Sequence, residues 1–316
     1  MHIKNRVQLI DAIESLIREK GPTVNLNHLD VSTVKYFDEV FSGAGGGGIV
    51  KTFNGDISKW DVSKGESFRR MFYGSAFNGN VSQWDTSSAQ DMTEMFYGSG
   101  FNQPIGSWDV SSVDSFAWMF GGTSFNQNLS RWDIKSAMNM DYMFKGSAFN
   151  NQGGSLESWK PIHLVSAVGM FEGSKFNQRL SPELFQNLEK ASRMFRWTQY
   201  DQSLGRVKVP RLKEASEMFC QSQASDLPGG WDVEYLTKHP NSVSNLFDET
   251  PFLEQQNFSG LANLKKSVGR FGLSATNDSG FNEIILPEWL SRLTEKHLQE
   301  KWSEEESAKP TARPRL

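Results

Sequence analysis

One arrangement of apolar and polar residues recurs along most of the chain. In a representative unit, FNGNVSQWDTSSAQDMTEMFYGSG, apolar side chains stand at Ala89, Met92, Met95 and Phe96. This spacing (i, i+3, i+6, i+7) is typical of one face of a short helix. The earlier half of the unit alternates between apolar and polar residues, so the stretch 81–84 is interpreted as a short strand.

The same unit returns nine times, each time ending in a Met-Phe pair or a relative of it. The intervals between successive phenylalanines of that pair are 31, 24, 24, 24, 27, 24, 24 and 28 residues. A period in this range indicates a solenoid, in which each coil contacts only its neighbours. We therefore expect an α/β solenoid of about nine coils, each with a short strand and a short helix. The marker residues are Phe41, Phe72, Phe96, Phe120, Phe144, Phe171, Phe195, Phe219 and Phe247.

A solenoid has two open ends, and both need a cover. Apolar residues at helical spacing predict an N-terminal helical cap in residues 1–28, followed by the repeat solenoid in 29–249. In 250–302 the repeat decays, and Pro287 precedes an amphipathic stretch that predicts a C-terminal helical cap. The tail 303–316 is charged and almost free of apolar anchors, so we expect it to be disordered.

Two polar residues recur in register with the aromatic ones. An asparagine follows a phenylalanine in six coils, and we interpret these asparagines as a ladder that satisfies backbone groups at a turn. An aspartate follows a tryptophan in four coils, which is typical of a turn or cap acid. One carboxylate per coil is too few for a calcium site, so no metal is expected. The asparagines are Asn54, Asn78, Asn102, Asn126, Asn150 and Asn177, and the aspartates are Asp61, Asp85, Asp109 and Asp133.

Charge and leader signals narrow the function classes. The net charge of −4 provides no basic field for a phosphate backbone, so nucleic-acid binding is not expected. The N-terminal stretch reaches Asp11 and Glu14 before an apolar run of signal-peptide length, and no membrane span is visible. We expect a cytoplasmic protein or one exported by a Sec-independent route, with surface display left open.

No catalytic pattern stands out. The five histidines are at least 26 residues apart, and none has metal-ligand spacing to a cysteine or carboxylate that would make a recognisable site. The only cysteine, Cys220, occupies a slot that varies between coils, which favours an incidental thiol. The glycine-rich stretch 42–48 lacks the strand and helix of a nucleotide-binding loop. We therefore expect no enzyme, no catalytic residue and no cofactor.

The string FN-x-x-I-S-x-WD-V-S-S-x-x-x-M-x-x-MF-x-G-S over residues 29–247 resembles a known bacterial repeat. It is similar to that of the BspA-like surface proteins, a family of degenerate leucine-rich repeats common in Listeria-type and Mycoplasma lipoproteins. The resemblance implies a right-handed, leucine-rich-repeat-like solenoid. It also implies a role in adhesion or protein recognition, in virulence or interbacterial interaction.

The outward positions of the predicted helices carry aromatic and cationic side chains. Exposed Tyr and Trp beside Arg are typical of protein-interface hot spots. Such rings also suit the face of a sugar, or they shield the joints between coils. The strand face, through Lys59, Gln83, Ser107, Arg131 and Ser158, is a competing site. The candidate partner-binding residues are Arg69, Arg70, Tyr73, Tyr97, Trp118, Tyr142, Lys145, Arg196 and Trp197.

These features favour a non-catalytic bacterial recognition module that binds a protein partner through one face of the solenoid. An effector, an adhesin and a toxin-neutralising protein all fit this description. A carbohydrate-binding adhesin module and a structural subunit of a larger assembly are the alternatives.

Overall fold

The computed structural model describes residues 1–42, 48–224, 228, 230, 235 and 239–246. The predicted C-terminal cap, the predicted tail and the last marker residue, Phe247, lie outside the described residues. Among the elements whose bounds lie within these residues there is one α-helix, and no strand is longer than a single bridging residue. The helix α1 is Arg6–Lys20, and short 3-10 helices occupy Val50–Thr52, Asn151–Gly153, Pro182–Phe185 and Pro240–Val243.

Helix α1 stands within the stretch predicted to form the N-terminal cap. It begins after Asn5, whose side chain accepts a first-turn N–H, and it ends at Gly21 with φ of 84°. Leu9, Ile13 and Ile17 are buried and join the same core as the first coil. Val7 is 67% exposed, because two residues on a helix turn it about 200° away from the buried Leu9.

The segment predicted as a short helix in each coil is a run of turns instead. Every second N–H donates to a carbonyl of the next coil: Met92 donates to Ser115 at 3.0 Å, and Phe96 to Met119 at 3.0 Å. The N–H of Met95, between them, donates back to Met92 at 3.2 Å. An α-helix would direct each of these N–H groups to a carbonyl four residues earlier in its own segment. The helix prediction is therefore wrong, although all four predicted apolar positions are buried.

The segment predicted as a strand is a turn as well. The N–H of Trp84 donates to the carbonyl of Val81 at 3.1 Å, and that of Trp108 donates to Ile105 at 3.1 Å. Both ends of each turn are buried. A strand turns residues i and i+3 to opposite faces, whereas a three-residue turn brings both inward. The strand prediction is therefore wrong, because a strand would direct only one of the two buried side chains into the core.

Neighbouring coils are nevertheless joined in register. One residue of each coil forms an isolated parallel bridge to the equivalent residue of the next, so the coils lie side by side in chain order. This column of bridging residues runs through Tyr36, Ser67, Asp91, Ser115, Asn139, Ser166, Lys190 and Glu214.

Identical aromatic side chains stack along the interior as a result of this register. The rings of Phe72 and Phe96 lie 5.4 Å apart at 1°, and those of Trp84 and Trp108 lie 6.3 Å apart at 5°. Each of the five buried tryptophans of these turns also donates its indole N–H to the preceding coil, as Trp84 does to the carbonyl of Ile57 at 3.1 Å. The large rings are thus buried without leaving their polar atoms unpaired.

The predicted asparagine ladder is confirmed. The side-chain oxygen of Asn78 accepts the backbone N–H of Asn102 at 2.9 Å, and that of Asn102 accepts the N–H of Asn126 at 3.0 Å. The aspartates are turn acids, as predicted. The carboxylate of Asp61 accepts both the hydroxyl and the N–H of Ser63, and these hydrogen bonds lower the pKa of Asp61.

Replacing one asparagine of the ladder should lower the free energy of unfolding. In Asn102→Ala, the N–H of Asn126 loses its acceptor, and the side-chain amide of Gln127 keeps only the backbone carbonyl of residue 102. We expect the free energy of unfolding to fall by about 1–3 kcal/mol, measured by urea denaturation. Asn102→Asp is the control, because it keeps an acceptor oxygen and because Asp201 already occupies this slot in a later coil. Equal losses in the two variants would contradict a role for the side-chain oxygen.

A pH dependence follows from Asp30 in the first coil. Hydrogen bonds from Ser32 and His2 lower the pKa of Asp30 from 3.8 to about 2. A folded-state pKa below the unfolded value stabilises the fold above about pH 4, and this contribution is lost as the pH falls towards 2. In melting curves recorded between these pH values, the Tm difference between wild type and Asp30→Asn should therefore shrink with falling pH. A constant difference would exclude this linkage.

Candidate functional site

The four predicted outward aromatic residues form one continuous row, which we name the aromatic stripe: Tyr73, Tyr97, Trp118 and Tyr142. Tyr73 and Tyr97 are stacked with ring centroids 5.0 Å apart. Tyr97 meets Trp118 edge to face at 5.3 Å, and Trp118 stacks on Tyr142 at 4.4 Å. All four side chains are half-buried. The stripe therefore crosses four successive coils and leaves part of each ring in solvent.

Two adjacent columns of the turn contribute these rings. Tyr73 and Tyr97 follow the Met-Phe pair, whereas Trp118 and Tyr142 precede it. The preceding column has positive φ in every described coil, for example 60° at Trp118 and 57° at Tyr142. In the predicted helix, the residues of this column would have a negative φ. Their left-handed backbone allows both columns to face outward side by side. The column contains Glu39, Arg70, Glu94, Trp118, Tyr142, Gly169, Arg193, Glu217 and Asn245.

Two glycines make room for the rings. A Cβ atom on Gly121 would lie 2.9 Å from the Trp118 ring and 3.0 Å from the Tyr97 ring. A Cβ atom on Gly169 would lie 2.5 Å from the ring of Tyr142. Equivalent positions in other coils carry larger side chains. The sequence therefore contained a signal for where the rings lie, but the prediction of the site did not use these two glycines.

An ion-pair chain borders the N-terminal end of the aromatic stripe. The guanidinium of Arg70 donates twice to Glu94, at 2.8 and 2.9 Å, and lies 3.7 Å from Glu39. Glu39 also pairs with Arg6 of α1 at 3.3 Å. The hydrogen bonds with Glu94 raise the pKa of Arg70. Because Arg70 also lies 5.7 Å from the Tyr73 ring centroid, it is held between acid and ring.

A second ion-pair network borders the other end. The ammonium of Lys145 lies 5.0 Å from the Tyr142 ring centroid and 3.1 Å from Glu172. The side chain of Glu172 is only 4% exposed, so its charge needs nearby cations. Arg196 lies 3.9 Å from Glu172 and 2.8 Å from Glu217, which Arg193 also contacts at 3.1 Å. Three cations therefore share two carboxylates.

The nine predicted residues are not all in one place. Arg70 and Lys145 lie against the aromatic stripe, and Arg196 is connected to Lys145 through Glu172. Trp197 packs on Arg196, with the guanidinium carbon 3.8 Å from its ring centroid, and is 49% exposed. Arg69 is exposed and forms no ion pair within the described part of the chain. The carboxylates that position these cations were absent from the predicted set: Glu39, Glu94, Glu172 and Glu217.

The competing face is exposed but carries no aromatic row. Its residues lie on the tryptophan-containing turns, not on strands as expected. Ser107 and Ser158 donate their hydroxyl groups to backbone carbonyls of the preceding coil. Their polar atoms are therefore already engaged in holding the coils together. The five side chains are Lys59, Gln83, Ser107, Arg131 and Ser158.

Few groups with reactive chemistry come together. Among the described residues, no three His, Cys, Asp or Glu side chains are placed to hold a metal ion. Cys220 is buried in the outward column after Met218 and Phe219. The described part of the chain also contains no helix of the length and apolarity that a membrane crossing requires.

This molecule is a repeat protein. Copies of one unit stack in register around a shared core, and four of them contribute a ring to the aromatic stripe. Sequence comparison identifies the family in four overlapping segments, residues 17–100, 49–159, 76–183 and 147–231. Together they span residues 17–231, about two thirds of the 316 residues. The chain belongs to the bacterial repeat family described as "Mycoplasma protein of unknown function, DUF285". No curated protein and no solved structure matches it.

The ring contacts predict that a side chain at position 121 destabilises the protein. In Gly121→Ala, the new methyl group would collide with Trp118 and Tyr97, so we expect a loss of about 1–3 kcal/mol in urea denaturation and a changed near-ultraviolet circular dichroism of the rings. Gly100→Ala is the matched control, because its Cβ would meet only a backbone oxygen at 3.7 Å. Equal stability of the two variants would contradict the described ring packing.

Proposed function

We propose that this protein is a non-catalytic recognition module that binds a protein partner through the aromatic stripe. The observation that carries the proposal is the aromatic stripe itself: four half-exposed rings, one from each of four successive coils, held between two ion-pair networks. Tyr and Trp flanked by Arg are the side chains that dominate protein-interface energetics.

The packing of the rings supports a docking role. Each ring contacts at least one neighbouring ring, and Tyr142 is further held by Lys145 at 5.0 Å. Side chains that are already immobile lose little rotamer entropy when a partner binds. The ion pairs at both ends provide a polar rim around the apolar row. Rigid rings inside a charged rim favour docking of a preformed protein surface.

The ring geometry favours a protein over a sugar on this surface. A sugar binds by stacking on the open face of an aromatic ring. Trp118 and Tyr142 cover one another at 4.4 Å, and Tyr73 and Tyr97 do so at 5.0 Å, so mainly ring edges face solvent. Protein side chains and backbone contact ring edges readily. A carbohydrate-binding module is therefore the second candidate, and a structural subunit would use the same surface permanently.

We also propose a fold class, a family relationship and a biological role. The in-register bridges and the repeated core support a right-handed, leucine-rich-repeat-like solenoid in which turns replace the regular helices and strands. Membership of a bacterial repeat family supports a BspA-like relationship. An effector, an adhesin or a toxin-neutralising protein would each use such a surface, from the cytoplasm or after Sec-independent export.

The test compares two surfaces of the same protein. A stoichiometric protein partner is first isolated by affinity purification and identified by mass spectrometry. The double variant Tyr97→Ala/Trp118→Ala should then weaken its binding by about 2–4 kcal/mol, measured by calorimetry, because hot-spot rings supply much of the interface energy. The control, Gln83→Ala/Arg131→Ala on the competing face, should bind normally.

Three outcomes would contradict the proposal. Unchanged binding by the ring variant, with lowered stability, would assign the rings to packing alone. Loss of binding only in the control variant would move the site to the competing face. Retention on a glycan array without any protein partner would favour the carbohydrate-binding module.

A further inference from the structure

One tryptophan stands where five other coils carry glycine. The slot two residues after each Met-Phe pair holds glycine in five successive coils, with φ between 60° and 66°. The seventh coil places Trp197 in this slot at φ of 59°, and the eighth places Gln221 there at 54°. The glycines of the slot are Gly74, Gly98, Gly122, Gly146 and Gly173.

The backbone does not favour a tryptophan at this position. A left-handed φ brings the Cβ of an L-residue close to the following carbonyl, and only glycine adopts it freely. The slot also offers almost nothing to pack against, because a Cβ on Gly74, Gly98, Gly122 or Gly146 would meet no atom within 4 Å. A side chain here points away from the core. Trp197 accordingly is 49% exposed, the largest exposure of any described tryptophan.

The surroundings of Trp197 indicate what it contacts. One face of the indole is covered by the guanidinium of Arg196, while no other ring of the described residues packs on it. Lys145, Arg193 and Arg196 share two carboxylates, so this corner of the surface carries an excess positive charge in a protein of net charge −4. Arg193 remains 44% exposed. An open apolar ring therefore stacks on Arg196, which shares Glu217 with the exposed Arg193.

We propose that Trp197 is the anchor of the partner-binding surface, and that the segment it binds is an acidic peptide with an apolar side chain next to a carboxylate. The apolar side chain would cover the open indole face, and the carboxylate would pair with Arg193. This inference rests on the proposed function and specifies the partner. A residue kept in a strained, outward position with few internal contacts is expected where recognition, not folding, requires it.

Stability and binding should change in opposite directions in Trp197→Gly. Five coils already carry glycine here, so the variant should fold, and removal of the strain should raise the Tm by about 2–4 °C in a thermal melt. Gln221→Gly is the matched control, because it makes the same change in the next coil and leaves the indole in place. A Tm that falls in Trp197→Gly would show that the indole serves packing and would overturn the inference.

The binding probe is a phage-displayed library of random peptides, selected on the full chain. Enriched sequences should place Asp or Glu within about two residues of Leu, Ile, Phe or Met. A synthetic peptide of that sequence should bind Trp197→Gly at least about tenfold more weakly than wild type, and Gln221→Gly normally, in fluorescence anisotropy. Added salt should weaken the wild-type complex. Enrichment without acidic residues, or equal binding by Trp197→Gly, would overturn the inference.

The inference and the proposed function fail in different ways. If the peptide binds Trp197→Gly normally but not Tyr97→Ala/Trp118→Ala, the anchor is wrong and the aromatic stripe remains the docking surface. If neither variant changes binding, both are wrong. Concentration-dependent sedimentation that Trp197→Gly abolishes would identify a second copy of the chain as the occupant and would overturn the acidic-peptide assignment.

Discussion

The structure depends on backbone hydrogen bonds that leave each coil for the next. In the Met-Phe half of the unit, every second N–H donates to a carbonyl of the next coil, as Met92 does to Ser115, 23 residues further along the chain. The N–H groups between them close turns inside the coil. Because a displaced neighbour would break all of these bonds at once, the coils are held in register without continuous strands.

Register explains why the same residue types recur along each column. Equivalent side chains of adjacent coils face one another, so a ring stacks on a ring and an amide oxygen meets the same N–H in every coil, as in the pairs Phe72–Phe96 and Asn78–Asn102. A side chain that suits one layer therefore suits the next. The interior is uniform for this reason, and departures from the repeat are concentrated on outward columns, where packing imposes little.

The proposed function rests on the outward residues that depart from the repeat. The aromatic stripe occupies columns in which other coils have arginine, glutamate or lysine, and its rings lie over two glycines, Gly121 and Gly169. Trp197 departs further, since it replaces glycine in a left-handed slot where its side chain gains few internal contacts. A repeat protein provides its own comparison set, because each coil shows what the fold accepts at a position and one coil's exception shows what a partner requires.

The sequence by itself determined the period, the buried positions, the asparagine ladder, the turn aspartates and the outward row of rings. These follow from which residues recur, and recurrence is local information. It did not distinguish a helix from a run of turns, because both bring positions such as Met92, Met95 and Phe96 inward. Only the tertiary structure decided that the N–H groups pair with the next coil, that φ is positive at Trp118 and that Glu172 holds Lys145 and Arg196. Each of these depends on a partner more than 20 residues away, which no local pattern specifies.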